Sequence, residues 1–358
     1  MSRYHDAHVH PQGPGDARPT ALQIVKDEDV MGRLTDKCVL VTGASSGIGV
    51  ETVAALHATG ATVFATARDL VKGQKVIVQI MSRKWSEGRI HLIKMELDSL
   101  ASVRQRAQEV PSKTDKMNVL VCNAGVPFPQ LPQRAYMYVH DIDTTPQIMA
   151  TPYNKTIDGF ESQFATNHLS HFLLFQLLKP LLLSPATPSF PSRVVAVSSV
   201  GHRSGQIRFH DFHFDEPGSY TPWSSYGQSK TANIYFANEI ERRYGAKHLH
   251  ALSLHPGGIE TGLQEHLEGL KEMMERGDVK RTMKCTEQGA ATSVFAAVSE
   301  QWRGTGGVYL SDCEIMGPVV DTDMMSGDNG YAEWAFDESK AQRLWEESLK
   351  MVELGDVD

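Results

Sequence analysis

The sequence predicts an α/β fold, a doubly wound parallel sheet of about seven strands in a single domain. Short apolar runs typical of buried strands alternate with helical stretches from Cys38 to about Leu310, and no linker interrupts them. The first run leads through a glycine-rich turn into a helical pattern, as expected between parallel strands. The predicted strands are residues 38–41, 61–66, 90–95, 118–121, 193–197, 251–254 and 307–310.

The two ends of the chain differ from this core. Residues 1–19 carry His5, His8 and His10 among proline and glycine, which predicts a disordered tail; a metal site on these histidines is the alternative. Residues 20–35 predict a short amphipathic helix, residues 36–330 the main domain, and residues 331–358 a C-terminal helical extension.

Composition limits the partners and the location of the protein. The 358 residues carry a formal net charge of −8 and no basic cluster, which argues against nucleic acid or an anionic membrane as a partner. No stretch approaches the ~20 apolar residues of a membrane span. The four cysteines form no Cys-x-x-Cys pair. The sequence therefore predicts a cytoplasmic protein with reduced thiols.

The turn after the first strand contains three glycines, Gly43, Gly47 and Gly49. Glycines permit a tight turn and let backbone amides approach a pyrophosphate at the N-terminus of the following helix. An ordinary glycine-rich turn is the alternative, but the flanking strand and helix favour dinucleotide binding.

The second strand leads into Ala67, Arg68 and Asp69. An acidic residue directly at the strand end would bind the adenosine ribose, which Ala67 cannot do, whereas Arg68 could clamp a 2′-phosphate. This pattern favours NADP(H) over NAD. A solvated surface arginine is the alternative, and Asp69 leaves the strictness of the preference open.

Tyr226 and Lys230 lie four residues apart and therefore on one face of a helix. A nearby ammonium would stabilise the phenolate, which otherwise forms only near pH ~10, so the pair is a candidate for proton transfer. The same spacing also occurs by chance. The predicted strand 193–197 delivers Ser198 and Ser199 at its C-terminal end, where such sheets place ligand-binding groups.

Together these motifs resemble the short-chain dehydrogenase/reductase family over roughly residues 36 to 312. The Gly-x-x-x-Gly-x-Gly turn and the run Asn123-Ala124-Gly125 match its signatures, whereas Cys122 departs from the commoner asparagine. The Ser-Ser-x-x-His pattern that ends at His202 resembles the retinol-dehydrogenase-like branch, as found in filamentous fungi. The resemblance implies a Rossmann-type fold.

The resemblance implies a catalytic set of Asn167, Ser199, Tyr226 and Lys230. Tyr226 would exchange a proton with the substrate oxygen and Ser199 would stabilise charge on that oxygen. Lys230 would lower the pKa of the phenol and bind the nicotinamide ribose, Asn167 would hold a water, and no metal is needed. The implied NADP(H)-binding residues are Gly43, Ser45, Ser46, Gly47, Ile48, Gly49, Arg68, Asp98, Asn123, Ala124, Gly125, Tyr226, Lys230, Pro256, Gly257, Ile259 and Thr261. Asp98 could equally cap the next helix.

The implied function is interconversion of a carbonyl and an alcohol on a sizeable apolar small molecule, in secondary metabolism. Aromatic residues of the loop 201–225 are expected to form one substrate wall, and residues 262–284 a mobile lid. Residues 127–148 predict an insertion that borders the pocket, reaches a second subunit of a homodimer or homotetramer, or forms a surface loop. A redox-neutral isomerase, dehydratase or other lyase stays open as an alternative, as does a non-catalytic cofactor-sensing or interaction protein.

Overall fold

The computed structural model describes residues 2–125, 153–259, 277–320 and 327–355. One sheet runs in the order β3-β2-β1-β4-β5-β6-β7-β8. The first seven strands pair in parallel, and β8 pairs antiparallel with β7. The strands are β1 Cys38–Val41, β2 Thr62–Ala67, β3 Ile90–Lys94, β4 Val119–Cys122, β5 Ser192–Val197, β6 Leu249–Leu254, β7 Val308–Ser311 and β8 Glu314–Ile315. The predicted α/β fold with seven parallel strands is confirmed, with one short edge strand added.

The helices connect these strands and cover the sheet. They are α1 His5–Val9, α2 Ala21–Asp27, α3 Ile48–Ala58, α4 Leu70–Ser82, α5 Leu100–Ala107, α6 Ser162–Phe164, α7 Ser170–Leu183, α8 Pro222–Tyr244, α9 Gly277–Thr282, α10 Thr286–Gly289, α11 Ala291–Val298 and α12 Glu338–Met351. A π-helical turn, Ala165–Leu169, joins α6 to α7. Among the described residues, no helix has the length and apolar character needed to cross a membrane.

Alternate residues of each strand face opposite sides of the sheet, and each side has its own apolar core. Leu40, Leu120 and Val194 pack with α5, α7, α8 and α12 on one side. Val41 and Val121 pack with α2, α3 and α11 on the other. Both faces are therefore covered by helices, which explains why the strands appear in the sequence as continuous apolar runs.

The strand order reverses beside β1, because β2 lies on one side of it and β4 on the other. Ligands of such sheets bind in the crevice beyond the carboxyl ends of the strands at this point. The glycine turn follows β1, and the Asn123–Gly125 run follows β4. The topology therefore brings two separate sequence motifs to one crevice.

Helix α12 covers α7 and α8 with an aromatic contact. The Trp345 ring meets Phe172 edge to face with centroids 4.9 Å apart and stacks on Phe236 at 6.4 Å. The Arg243 guanidinium lies 4.8 Å from the centroid of the same ring. Replacing a buried tryptophan by alanine costs about 3–5 kcal/mol, so this contact is a substantial part of the stability of the domain.

Residues 2–19 differ from the disordered tail that the sequence predicts. They include α1 and pack against the domain, with Tyr4 and Arg18 only 7% and 4% exposed. Their partners are up to 312 residues away along the chain, so composition alone gives no sign of the contact. The expected insertion at 127–148 lies outside the described residues, as do residues 262–276 of the expected lid.

Candidate active site

Strand β5 delivers two serines whose hydroxyl groups have different partners. The Ser198 hydroxyl donates to the main-chain carbonyl of Lys230 at 2.8 Å. The Ser199 hydroxyl accepts from the Gly201 N–H at 3.0 Å and lies beside the Tyr226 ring, since a Cβ on Gly201 would lie 3.3 Å from Oγ of Ser199 and close to that ring. Only the second hydroxyl is therefore adjacent to a group that can exchange protons with a substrate.

Helix α8 places Tyr226 at the carboxyl edge of the sheet. The helix begins with a capping box between Thr221 and Ser224 and has Pro222 in its first turn, so its start is well defined. A Cβ atom on Gly201 would lie 2.6 Å from Cε1 of Tyr226. Glycine at this position lets the serine-bearing strand end approach the phenol closely.

Lys230 lies one turn after Tyr226, and burial dominates the pKa of both groups. Its Nζ atom donates to the Val197 carbonyl at 3.2 Å and lies 5.5 Å from the centroid of the Tyr226 ring. Burial lowers the pKa of Lys230 to about 8. Burial raises the pKa of Tyr226 to about 12, and the neighbouring Ser199 hydroxyl offsets this only in part. In this geometry burial, and not the Lys230 ammonium, therefore sets the pKa of the phenol, which is raised where a lowering was expected.

Asn167 lies in the π-helical turn before α7. Its Nδ2 atom donates to the Ser229 hydroxyl at 2.9 Å, and that hydroxyl donates to the Tyr226 carbonyl at 2.7 Å. Single π turns are frequent at functional sites. The structure thus brings Asn167 to helix α8, beside Gly125, whose Cβ position would lie 3.5 Å from Oδ1 of Asn167.

A buried histidine that no sequence motif singles out, His171, connects this turn to the glycine turn. Nδ1 of His171 contacts the Asn167 carbonyl at 3.0 Å, and Nε2 contacts the Thr42 hydroxyl at 2.8 Å. A carbonyl only accepts, so Nδ1 carries the proton and Nε2 accepts from Thr42. The Thr42 oxygen in turn accepts from the N–H groups of Asn123 and Ala124, each at 3.0 Å. Burial lowers the pKa of His171 to about 4, which keeps this bridge neutral.

His202, the histidine of the Ser-Ser-x-x-His pattern, is a second bridge of this kind. Its Nδ1 donates to the Ser199 carbonyl at 2.6 Å, and its Nε2 accepts from the Ala332 N–H at 3.0 Å. Burial lowers its pKa to about 4. The backbone of the serine segment is therefore tied to a strand-like segment near the C-terminus. The sequence pointed to His202 through the Ser-Ser-x-x-His pattern, whereas the signal for His171 was only a polar residue inside an otherwise buried pattern.

The glycine turn fits a dinucleotide pyrophosphate. Gly43 has φ +70°, and a Cβ there would lie 2.9 Å from Ala124; a Cβ on Gly49 would lie 2.2 Å from the Gly43 carbonyl oxygen. No described side chain caps α3 at Gly47, so its first N–H groups stay available to an anion. The buried Oδ1 atom of Asn123 has no partner among the described residues. These features suit a polar group of a bound cofactor, and Ser45, Ser46 and Ile48 lie in the same turn.

Arg68 and Asp69, which follow β2, differ in their contacts. The Asp69 carboxylate accepts from the N–H groups of Val71 and Lys72 at 2.8 and 3.0 Å and so caps α4. Arg68 is exposed. At the end of β3, Ser99 rather than Asp98 caps the next helix, accepting from the Ser102 N–H at 3.2 Å. The alternative role of Asp98 as that cap is therefore wrong, and its exposed carboxylate stays a candidate for the adenine contact.

The turn after β6 contains Pro256, Gly257 and Ile259 of the predicted cofactor set. Gly257 has φ +104°, and a Cβ there would lie 2.8 Å from Cδ of Lys284. The turn is paired with Lys284, the second residue after α9, because the Lys284 N–H donates to the Gly258 carbonyl at 2.8 Å. Thr261 lies outside the described residues.

The aromatic residues of the loop 201–225 mostly face inward. Phe209 and Phe212 pack against the α5/α7/α8 core, and Phe214 is buried. Trp223 is half-buried and meets Tyr226 edge to face with centroids 6.0 Å apart. The expected aromatic wall is thus reduced to one ring beside the phenol.

Within the described part of the chain, no three His, Cys, Asp or Glu side chains cluster as a metal site would require.

Comparisons with known proteins agree with this geometry. A family model described as short chain dehydrogenase matches residues 37–212. Short-chain dehydrogenase/reductase prx1 of Penicillium roqueforti is 45% identical over 99% of this chain and 96% of its own length. The chain is a short-chain dehydrogenase/reductase. Retinol dehydrogenase 12 of Mus musculus is 31% identical over 89% of this short-chain dehydrogenase/reductase and 87% of its own length.

Solved structures show the same fold for this short-chain dehydrogenase/reductase. An uncharacterized protein from Mycobacterium paratuberculosis has a TM-score of 0.64 at 28% identity, covering 92% of this chain and 98% of the other. The RhlG/NADP active-site complex of Pseudomonas aeruginosa has a TM-score of 0.58 at 21% identity, covering 81% and 96%. The chain is therefore an oxidoreductase of a family that uses nicotinamide dinucleotides and acts on small carbonyl or alcohol substrates, as the sequence motifs predicted.

Proposed function

We propose that this oxidoreductase uses NADP(H) to interconvert a carbonyl and an alcohol on a sizeable apolar substrate. The adjacency of the Ser199 hydroxyl and the Tyr226 ring carries the proposal, because a Cβ on Gly201 would lie 3.3 Å from Oγ of Ser199 and 2.6 Å from Cε1 of Tyr226. The Ser199 hydroxyl and the Tyr226 phenol can both bind one substrate oxygen, at the crevice where the glycine turn lies. Lys230 lies one turn after Tyr226 on α8 and donates to the Val197 carbonyl, and Asn167 contacts the same part of α8 through Ser229.

The phenol of Tyr226 is the proton donor in carbonyl reduction. Its pKa of about 12 keeps it protonated at neutral pH, as a general acid must be, and in the reverse direction it receives the proton from the alcohol. Ser199 hydrogen-bonds the reacting oxygen and stabilises the charge that develops there. Bound NADP(H) supplies or accepts the hydride.

Lys230 and Asn167 support this proton transfer. An approach of the Lys230 ammonium to the phenol favours the phenolate and counters the effect of burial. Lys230 is also the residue that would bind the nicotinamide ribose. Asn167 holds the π-helical turn against Ser229 at 2.9 Å and would position a water near the lysine.

Arg68 supports NADP(H) as the cofactor. The Asp69 carboxylate is already occupied as the cap of α4, so it is a poor acceptor for a ribose hydroxyl, whereas the exposed Arg68 guanidinium is available to a 2′-phosphate. The similarity to RhlG, at 21% identity, supports the fold and adds nothing on cofactor choice.

Trp223 supports an apolar substrate. Its half-exposed indole lies one helical turn before Tyr226, so a substrate whose oxygen meets the phenol would contact the indole. We extend the proposal to a substrate from fungal secondary metabolism, in keeping with the similarity to a Penicillium enzyme. A gene-deletion strain that accumulates an unreduced or unoxidised apolar compound would support this extension, and an unchanged metabolite profile would contradict it.

A substrate screen tests the reaction. Apolar ketones, aldehydes and secondary alcohols are incubated with NADPH or NADP+, and the absorbance at 340 nm is followed. Tyr226→Phe and Ser199→Ala should each lower kcat by at least about 100-fold. Ser198→Ala is the matched control, with an effect of a few-fold at most, because its hydroxyl faces the Lys230 backbone. Product formation without any change at 340 nm would instead indicate a redox-neutral isomerase or lyase.

A further inference from the structure

Residues 2–19, called the N-terminal strap, pack against the domain through specific side-chain contacts. The Tyr4 ring meets Phe295 of α11 edge to face at 6.0 Å, and its hydroxyl donates to Asp27 at 3.1 Å. Gly13 and Gly15 have φ of +108° and +83°, which allows the chain to turn back towards α9 and α10. The strap is thus a folded element with specific partners.

Arg18 is the centre of the contact between the strap and the C-terminal end of α9. Its guanidinium donates to the main-chain carbonyls of Thr282 and Met283 at 2.8 and 2.5 Å. It also donates to the Gly13 carbonyl at 3.0 Å and to the Asp16 carboxylate at 2.8 Å. Burial alone would raise the pKa of Asp16, but these hydrogen bonds from Arg18 and the backbone lower it to about 2, so the ion pair stays charged. The planar fork of an arginine suits several fixed acceptors at once.

Gln288 of α10 closes the other side of this contact. Its amide nitrogen donates to the Asp16 and Arg18 carbonyls at 3.2 and 3.1 Å. Its amide oxygen accepts from the N–H groups of Gly15 and Cys285 at 2.9 and 3.2 Å. The strap therefore contacts Thr282 and Met283 directly and Cys285 through Gln288.

Lys284 follows the two carbonyls that Arg18 binds, and it touches the turn after β6. Its N–H donates to the Gly258 carbonyl, and its backbone forms a parallel bridge with Ile259. Lys284 is 3% exposed, and its side chain fills the space that a Cβ on Gly257 would occupy. A shift of Lys284 would therefore move the backbone of residues 256–259.

Asp312 fixes the far end of the Lys284 side chain, and the strap reaches it as well. The Lys284 ammonium donates to Oδ1 of Asp312 at 2.5 Å, and Asn329 donates to Oδ2 at 2.8 Å. Nε2 of His8 lies 3.7 Å from Oδ1 of Asp312. The strap thus contacts both the backbone before Lys284 and the carboxylate that holds its ammonium.

We infer that the N-terminal strap positions the Pro256–Ile259 turn for cofactor binding, with Arg18 as the main positioning residue. This inference rests on the proposed function, which assigns that turn to the cofactor. Arg18 acts through Thr282, Met283 and Lys284 and touches no substrate. The expected signature is weaker NADPH binding with an unchanged chemical step.

The test compares Arg18→Met, Arg18→Lys and Arg33→Met in the full chain. Arg33 is an exposed arginine paired with Asp29 and is the matched control. NADPH affinity is measured by fluorescence titration, kcat at saturating NADPH, and hydrogen exchange of the cofactor-free proteins by mass spectrometry. Arg18→Met should raise the Kd for NADPH about tenfold, leave kcat within about twofold, and speed exchange at residues 256–259 and 282–284. Arg18→Lys should restore part of the affinity, and Arg33→Met should change nothing.

Two results would overturn the inference. One is unchanged exchange at residues 256–259 in Arg18→Met, which would mean that the strap does not control the turn. The other is faster exchange and lower stability with an unchanged Kd for NADPH, which would assign the strap to stability alone. If the unchanged protein binds no NADPH, the proposed cofactor is wrong, whereas exchange at residues 256–259 still decides whether the strap holds the turn.

Discussion

The main-chain carbonyl of Asn167 accepts a hydrogen bond from Nδ1 of His171, 3.0 Å away. Because Nε2 of the same ring accepts from Thr42, His171→Phe would leave two buried polar groups without their partner. We expect a loss of about 2–4 kcal/mol in the free energy of unfolding, measured by urea denaturation. The double variant with Thr42→Val should lose less than the sum of the single variants. Strict additivity would show that the bridge contributes no coupling between the two turns.

Acid should destabilise the protein well above the range in which carboxylates titrate. Burial lowers the pKa values of His168, His171, His202 and His255 from 6.5 to between about 3 and about 4. Between pH 6.5 and 4 the unfolded chain therefore binds more protons than the folded one, and stability falls as the pH falls. Four such groups give a slope of up to about 5 kcal/mol per pH unit near pH 5.

Urea denaturation at pH 7.5, 6 and 5 measures this slope. Burial raises the pKa of the Glu161 carboxyl, so this group binds its proton more readily in the folded state. Its titration therefore reduces the slope, by the contribution of one proton at most. His168→Leu should reduce the slope of stability against pH by the contribution of about one bound proton. Stability that stays constant between pH 6 and 5 would contradict the neutral, buried state of these histidines.

Lys230→Met is expected to abolish activity and to stabilise the fold. Burial lowers the pKa of Lys230 from 10.5 to about 8, a difference that corresponds to about 3 kcal/mol. Below pH 8 the folded protein bears this full cost; the cost disappears as the pH rises through 10.5, where both states are neutral. The Val197 carbonyl keeps its hydrogen bond from Asn233 at 3.0 Å, so little is lost in return.

Thermal unfolding at pH 7 and pH 10.5 checks this prediction. The variant should melt at a higher temperature than the unchanged protein at pH 7, and the two should converge at pH 10.5. The exposed Lys350→Met serves as the control and should give no pH-dependent difference. A lower melting temperature for Lys230→Met at pH 7 would mean that the ammonium has a favourable partner outside the described residues.

Arg68→Ala should separate the two nicotinamide cofactors. Loss of a guanidinium that binds the 2′-phosphate should raise the Kd for NADPH by about 10- to 100-fold and leave the Kd for NADH almost unchanged. The exposed Arg89→Ala provides the control. Equal losses for both cofactors would remove the argument for the clamp.

The sequence was informative where a motif is local and less so where a contact is distant. The strands, the glycine turn and the Tyr226/Lys230 pair follow from patterns of a few residues, and the structure places them as those patterns predict. The contact of Arg18 with Met283 spans 265 residues, and no local pattern reports it. His171 has the same limitation, because a buried neutral histidine is recognisable only once both of its partners are located.

The pairing of β4 with β5 sets a folding requirement for this chain. Val119 lies opposite Arg193, so more than 70 residues must be closed into a loop before two central strands meet. Folding should therefore be slow and limited by this long-range pairing. In the flexible-chain limit the closure free energy varies only with the logarithm of loop length, so deleting residues 127–148 would change it by about 0.3 kcal/mol. A change in substrate range after that deletion would thus report on substrate binding and not on the cost of closing the sheet.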